Sequence, residues 1–231
     1  MAIVDNAHTA NNISENDELT SHLTNVEHST TIVNHMYQSI FKPVLGLVLA
    51  VVALIILAIP MLIIAAIVAL NSPGPILFRQ TRGGKNGHPF TVWKFRTMYV
   101  SAPEKANKDF SHDAMAHYMT PVGKVLRKYS LDELPQIFNV LAGQMSFIGP
   151  RPLAKTDAYA LQLRKQVGAD QVRPGITGLA QVNGRNGLND DQKVAYDKEY
   201  CDRCSLKMDL GIILKSVIVV LGHHGINKVE E

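Results

Sequence analysis

Residues 44–70 read VLGLVLAVVALIILAIPMLIIAAIVAL, an unbroken apolar run that contains no charged side chain. As a helix, about 27 residues at about 1.5 Å each reach about 40 Å, more than a hydrocarbon core of about 30 Å. The run is too long for the apolar part of a cleavable leader, begins too far from the N-terminus, and has no basic stretch before it. It therefore predicts a membrane segment. Pro60 interrupts it, because proline removes one backbone hydrogen bond and crowds the preceding turn. A span kinked at Pro60 and a re-entrant hairpin bent there both fit. The cations that follow (Arg79, Arg82, Lys85, Lys94, Arg96) favour a cytosolic C-terminal part. Length and charge alone lean towards the span.

On either side of this segment the composition differs sharply. Before Lys42 there is no Lys or Arg, but Asp5, Glu15, Asp17, Glu18 and Glu27 are present, so a net +3 chain has a tail of −5 and a remainder of +8. The tail is rich in Asn, Thr, Ser and His and reads as disordered and solvated. Its histidines lack metal-ligand spacing. The expected division is an acidic tail over 1–41, a membrane helix over 42–71 and a folded domain over 72–231, long enough for one hydrophobic core. Cys201 and Cys204 form a lone Cys-x-x-Cys without the further ligands of a zinc site, and nothing demands an oxidising compartment. The basic surplus is modest and no nucleic-acid motif is present, so no nucleic-acid partner is expected.

Beyond the turn signal Asn71-Ser72-Pro73-Gly74-Pro75, strands are expected at 76–80 and 90–98 around Gly83-Gly84-Lys85-Asn86-Gly87, where Asn-Gly signals a hairpin. That loop lacks the spacing of a P-loop. A polar, partly helical connector follows over 101–119. Val122, Val125, Leu126 and Tyr129 make a helical stripe with Lys124, Arg127 and Lys128 around it; such a stripe either packs on a core or lies on an anionic bilayer. Further helices are expected over 134–140, 155–167 and 190–200. The run 210–221 is apolar but too short to span.

The chemistry centres on Ser130-Leu131-Asp132-Glu133-Leu134-Pro135-Gln136. A structural reading stands beside a functional one. Ser130 and Glu133 fit a capping box, or Asp132 itself caps, and a helix dipole would favour its ionised form. Alternatively, Asp132 is a nucleophile toward phosphorus or a ligand of Mg²⁺, which takes one or two carboxylates and fills its shell with water and phosphate oxygens. Arginines held on stiff backbone, Arg151 between two prolines and Arg173 before Pro-Gly, suit phosphate clamping.

Taken together, these runs resemble the bacterial sugar transferases, the monotopic polyprenyl-phosphate phosphoglycosyl transferases. The resemblance is carried by Ser72-Pro73-Gly74-Pro75 with Phe78, Lys94-Phe95-Arg96-Thr97-Met98, Leu126-Arg127-Lys128 through Gln136, Asn139-Val140-Leu141, Met145 through Pro152, Arg173 through Gly178, and Gln181 through Asn186. It spans roughly residues 42–221. It implies transfer of a sugar-1-phosphate from a UDP-sugar to undecaprenyl phosphate with release of UMP, through a covalent intermediate on Asp132. Glu133 is then the assisting acid/base or metal-site partner, Mg²⁺ the cofactor, with Asp132 a ligand. Lys94, Arg127, Arg151, Arg173, Arg185 and Asp197 are the phosphate and nucleotide contacts. The implied partners are donor, acceptor, membrane lipid and downstream glycosyltransferases, in exopolysaccharide, capsule or other glycan assembly at the cytoplasmic face of a bacterial plasma membrane.

The implied fold is α+β: a compact, mainly helical cytosolic domain with a short β-hairpin, a re-entrant helix broken at Pro60, and interfacial amphipathic helices. The family's serine before that proline is Ile59 here, and the basic and acidic residues near the segment's start are reduced to Lys42, with Gly46 about where the acid lies. The chain looks like the family's minimal catalytic form. A membrane adaptor without turnover and a membrane phosphatase are the competing functions.

Overall fold

The computed structural model describes residues 36–103, 112–184 and 187–221. The acidic tail up to residue 35, part of the polar connector, and Arg185 lie outside the described residues. A five-residue π-helical turn, Tyr37–Phe41, leads into α1, Lys42–Asn71. Helical structure thus begins inside the stretch expected to be tail, because Tyr37 and Gln38 have partners: the Tyr37 hydroxyl donates to Asp209 at 2.6 Å and the Gln38 amide to the Cys201 carbonyl.

Pro60 lies within α1 rather than ending it. The helix is apolar all round, yet only one face meets protein. Ala50, Ala53, Leu54 and Leu57 pack with Val92, Ile137 and Val140; Met61, Ile64, Ala65 and Val68 pack with Phe95 and Leu126. Their spacing of three and four residues is a single helical stripe. Ile55, Ile56, Ile59, Leu62 and Leu70, on the other faces, are largely exposed. With 11% of its most apolar stretch buried, α1 is not the core helix of a soluble domain and is long and apolar enough to cross a membrane.

Polar contacts fix both ends of α1. At its start, the Lys42 ammonium pairs with Asp209 at 2.8 Å and also contacts the Tyr200 hydroxyl; that hydroxyl donates to Asp209 at 2.7 Å. At its end, Arg96 donates to the Pro73 carbonyl at 2.6 Å and to the Ser72 carbonyl and hydroxyl at 2.6 and 2.9 Å. A guanidinium, with five donors in a rigid fork, suits such a cluster of acceptors. Arg96→Leu is expected to cost about 3 kcal/mol, since buried carbonyls would lose charge-assisted bonds. Denaturant unfolding of the detergent-solubilised protein measures it, and a loss below about 1 kcal/mol would refute the clamp.

The domain is mostly helical with little sheet. β1 (Leu77–Gly83) and β2 (Pro89–Phe95) form the expected antiparallel hairpin, with Asn86 and Gly87 both left-handed at its tip. β2 stops at Phe95, short of the expected strand end at 98, because Thr97 and Met98 turn to other partners. The Thr97 carbonyl accepts from the Thr120 amide, and Met98 bridges Met119. Two short helices follow, α2 (His112–Tyr118) and α3 (Pro121–Lys128), the latter capped by Thr120. The helix expected over 134–140 divides into a 3₁₀ segment, Leu131–Gln136, and α4, Ile137–Leu141, with Pro135 inside the first.

A small parallel pair, β3 (Ser146–Ile148) with β4 (Gly175–Thr177), brings the Gly149-Pro150-Arg151-Pro152 loop against Arg173-Pro174. A Cβ at Gly149 would sit 2.4 Å from the Arg173 carbonyl, so only glycine permits this approach. α5 (Ala158–Val167), α6 (Leu179–Asn183), α7 (Asp190–Arg203) and α8 (Leu206–Leu221) complete the chain. α8 buries Ile212 in a core with Ile148, Tyr200 and Cys204, and exposes Leu206, Leu210, Ile213, Leu214, Val217 and Ile218 as one apolar stripe.

Candidate active site

The local chain around the dyad follows neither capping scheme. Ser130 adopts a left-handed conformation (φ 56°) and its hydroxyl caps nothing. Its carbonyl instead accepts the Glu133 amide at 3.2 Å, starting the 3₁₀ segment. This tight turn packs against β2 and points its two acids to different surroundings. The structural reading of the pair as a capping box is thus overturned.

Glu133 is held by two cations through one oxygen. Its Oε1 accepts from Lys94 at 2.6 Å and from Arg151 at 2.9 Å. Burial would raise its pKa, but Arg151 and Lys94 together overcome that and hold it well below the usual carboxylate range. Asp132 is buried too, yet among the described residues no side chain hydrogen-bonds to its carboxylate. Burial, joined by the Glu133 charge, pushes its pKa above the ordinary value against the pull of Lys94, Arg127 and Arg151. A helix dipole was expected to favour its ionised form; desolvation outweighs that here. One carboxylate is thus fixed and charged, and the other is unpartnered, desolvated and faced by cations. That is the setting of a reactive group.

The expected phosphate contacts divide. Lys94 and Arg151 meet at Glu133, and Arg151 keeps a side chain 46% exposed. Arg127 donates to the Thr97 hydroxyl at 2.9 Å while its charge acts on Asp132. Arg173 is half-buried, and its backbone borders the Gly149–Pro152 loop. Asp197 is placed elsewhere: it is 1% exposed and ion-paired with Arg164, whose Nε and Nη2 lie 2.8 and 2.5 Å from its Oδ2. Arg164 also donates to the Arg151 carbonyl at 2.8 Å. Asp197 therefore reaches the site through Arg164 and the backbone of Arg151. No sequence spacing links residues 164 and 197, so this relay was not visible beforehand. Cys204 is buried, and burial pushes the Cys201 thiol up to about 12, so neither cysteine is a ready thiolate.

For a divalent cation, the described residues offer no cluster of three or more His, Cys, Asp or Glu side chains. Of the dyad, Asp132 has both carboxylate oxygens without a hydrogen-bond partner among the described residues, whereas Glu133 Oε1 is shared by two cations. One protein carboxylate, with phosphate oxygens and water supplying the rest, is an ordinary Mg²⁺ shell, so the residues fit an ion brought with a phosphorylated substrate.

Residues 37–223 match the family model of the bacterial sugar transferases. The chain is 43% identical over 186 residues to the UDP-glucose:undecaprenyl-phosphate glucose-1-phosphate transferase of Caulobacter vibrioides, covering 76% of this chain and 68% of that protein. It is 40% identical over 189 residues to the uncharacterized sugar transferase EpsL of Bacillus subtilis, covering 82% and 91%. It is 40% identical over 181 residues to the UDP-N-acetylgalactosamine-undecaprenyl-phosphate N-acetylgalactosaminephosphotransferase of Aeromonas hydrophila, covering 76% of this chain but 42% of that protein. This chain belongs to the bacterial sugar transferase family.

Proposed function

We propose that the protein transfers a sugar-1-phosphate from a UDP-sugar to undecaprenyl phosphate. The observation that carries this reading is the unpartnered, buried Asp132 carboxylate beside Lys94, Arg127 and Arg151. In the first step an Asp132 oxygen bonds to the β-phosphorus of the donor, the bond from that phosphorus to the bridging oxygen breaks, and UMP leaves with the electron pair. In the second, a phosphate oxygen of the lipid attacks the same phosphorus and the aspartyl–phosphorus bond breaks. The product is the lipid-diphosphate sugar, and Asp132 returns as carboxylate. Glu133 holds Lys94 and Arg151 in place, and these cations offset negative charge gathering on the phosphoryl oxygens. Asp132 would hold Mg²⁺ through its second oxygen; the ion would neutralise donor phosphate charge.

UMP release tests this reading, using the full chain in detergent with Mg²⁺, undecaprenyl phosphate and a panel that includes UDP-glucose and UDP-N-acetylgalactosamine. Release with one donor names the sugar. Sugar phosphate freed without lipid acceptor would make the protein a phosphatase, and no release from folded protein would make it an adaptor.

The same reading places the domain on the cytoplasmic face with α1 re-entrant and bent at Pro60. Support comes from the packed stripe of α1, which runs from Ala50 to Val68, about 27 Å of helix. A perpendicular crossing would draw β2 with Lys94 into hydrocarbon, where a charge is costly. The exposed apolar stripe of α8 would rest in the same interface. Single cysteines at Met36 and Val100 should react with an impermeant thiol reagent from the same side; labelling from opposite sides would make α1 a span.

A further inference from the structure

A recess opens beside the dyad, between β1, β2, the 3₁₀ segment and the loop after β3. Arg82, Val92, Lys94, Gln136, Arg151 and Pro152 line it, whereas Asp132 does not. Two of its polar residues, Arg82 and Gln136, have no place in the machinery described above. Arg82, the penultimate residue of β1, donates to the Gln80 side-chain oxygen at 2.5 Å and to the Pro152 carbonyl at 3.3 Å. Both partners are neutral, and the charges of Asp157 and Glu133 act on it from nearby. Lys94 and Arg151 share the single carboxylate of Glu133. Three cations, Arg82, Lys94 and Arg151, thus line the recess, and the charges of Glu133 and Asp157 reach Arg82 and Arg151 there.

Gln136 supplies an independent observation. It is 2% exposed, yet among the described residues its side-chain amide has no hydrogen-bond partner, although it lines the recess. Its amide atoms are not sealed from solvent and are open to whatever fills the recess. A ligand that accepts from the Gln136 amide and from Arg82 would satisfy both at once. Fork-shaped guanidinium groups pair with phosphate oxygens in just this manner.

We propose that Arg82 and Gln136 are substrate-contact residues of a second oxyanion subsite, which holds a phosphate group adjacent to the one attacked at Asp132. Lys94 and Arg151 border both this recess and the dyad, so the phosphate held there neighbours the reacting one. Two sources share this chemistry: the phosphate that departs with the nucleoside, and the phosphate of the lipid acceptor. Their identity rests on the transferase reading; the subsite itself does not. Burial and the neighbouring Arg151 lower the Arg82 pKa against the pull of Asp157 and Glu133, and a bound oxyanion would raise it.

The test is equilibrium binding of UMP, a short-chain polyprenyl phosphate and inorganic pyrophosphate to the full chain in detergent, compared with Arg82→Gln and Gln136→Met. Arg82→Gln is expected to weaken at least one probe tenfold or more, and Gln136→Met by about threefold to tenfold, with Asp132→Asn retaining that affinity. Loss for UMP alone assigns the subsite to the donor, loss for the polyprenyl phosphate alone to the acceptor, and loss for both to a shared phosphate position. If Arg82→Gln does not fold, Arg82→Lys and Gln136→Met carry the comparison, since one keeps the charge and the other the volume. Wild-type affinity for all three probes in folded variants overturns the proposal, as does a wild-type protein that binds none. Arg82-dependent binding in a protein that releases no UMP would leave the subsite standing and remove the transferase reading.

Discussion

Asp132→Asn is expected to lower UMP release by about 10⁴-fold or more, because an amide oxygen cannot replace a carboxylate as nucleophile. The same variant should be at least as stable as the wild type. Burial raises the pKa of Asp132, so the native state holds a proton that the unfolded chain has already lost. As pH rises through the ordinary carboxylate value and on to the raised one, this difference takes stability away. Asparagine has the same shape and no charge to desolvate. A large fall in activity with an unchanged or higher unfolding midpoint marks a residue kept for chemistry. A wild-type rate in folded Asp132→Asn would end the covalent mechanism. For the wild type, activity should rise with pH through a value above the usual carboxylate range, since the reactive form is ionised.

Glu133→Gln should behave in the opposite way. It leaves Lys94 and Arg151 without their shared anion. Removing one member of a buried pair costs about 3–5 kcal/mol; with Arg151 half in water, about 2–3 kcal/mol is expected. Activity should fall by about 10²–10³-fold, because the cations that offset phosphoryl charge would no longer be held. The pH dependence has a definite sign. The Glu133 pKa is depressed in the native state, so its contribution is fully present above the ordinary glutamate value of about 4.3 and disappears as pH falls toward the depressed one. The stability gap between wild type and Glu133→Gln should therefore be constant near neutrality and close in acid. Denaturant unfolding at a series of pH values checks this, and a gap that widens below about pH 4 would contradict the pairing.

The parts of this fold that local chemistry dictates were readable in the sequence. An uncharged run as long as 44–70 has few alternatives to a membrane helix, and Asn86-Gly87 supplies the two left-handed residues that a tight hairpin tip needs. Parts made by distant partners were not readable. β3 and β4 are three residues each, too short for any alternation to register, and exist because their pairing lets Gly149 and Arg173 touch. Arg96 read as one of several cations after the membrane segment, whereas its work is to hold the end of α1. Asp132 and Glu133 were identifiable as a chemical pair, but the opposite directions of their pKa shifts come from burial and from Arg151, which lies in a different loop. Gln136 sits in the same short run as the dyad and gave no sign of its unpaired amide, since that depends on what surrounds it.

The stripe of α1 has a consequence for how this protein is made. A ribosome releases Lys42–Asn71 before Val92, Leu126, Ile137 or Val140 exist, so the face that ends up against protein is first covered by something else. If that cover is lipid, exchanging acyl chains for side chains brings little hydrophobic gain, because both are equally apolar. What remains is fit: Ala50, Ala53 and Ala65 allow close approach, and Ala50 has no exposed surface at all. The last step of assembly is thus a contest between two greasy solvents, decided by shape. A bulkier, more hydrophobic residue at Ala50 would hand the helix back to the lipid.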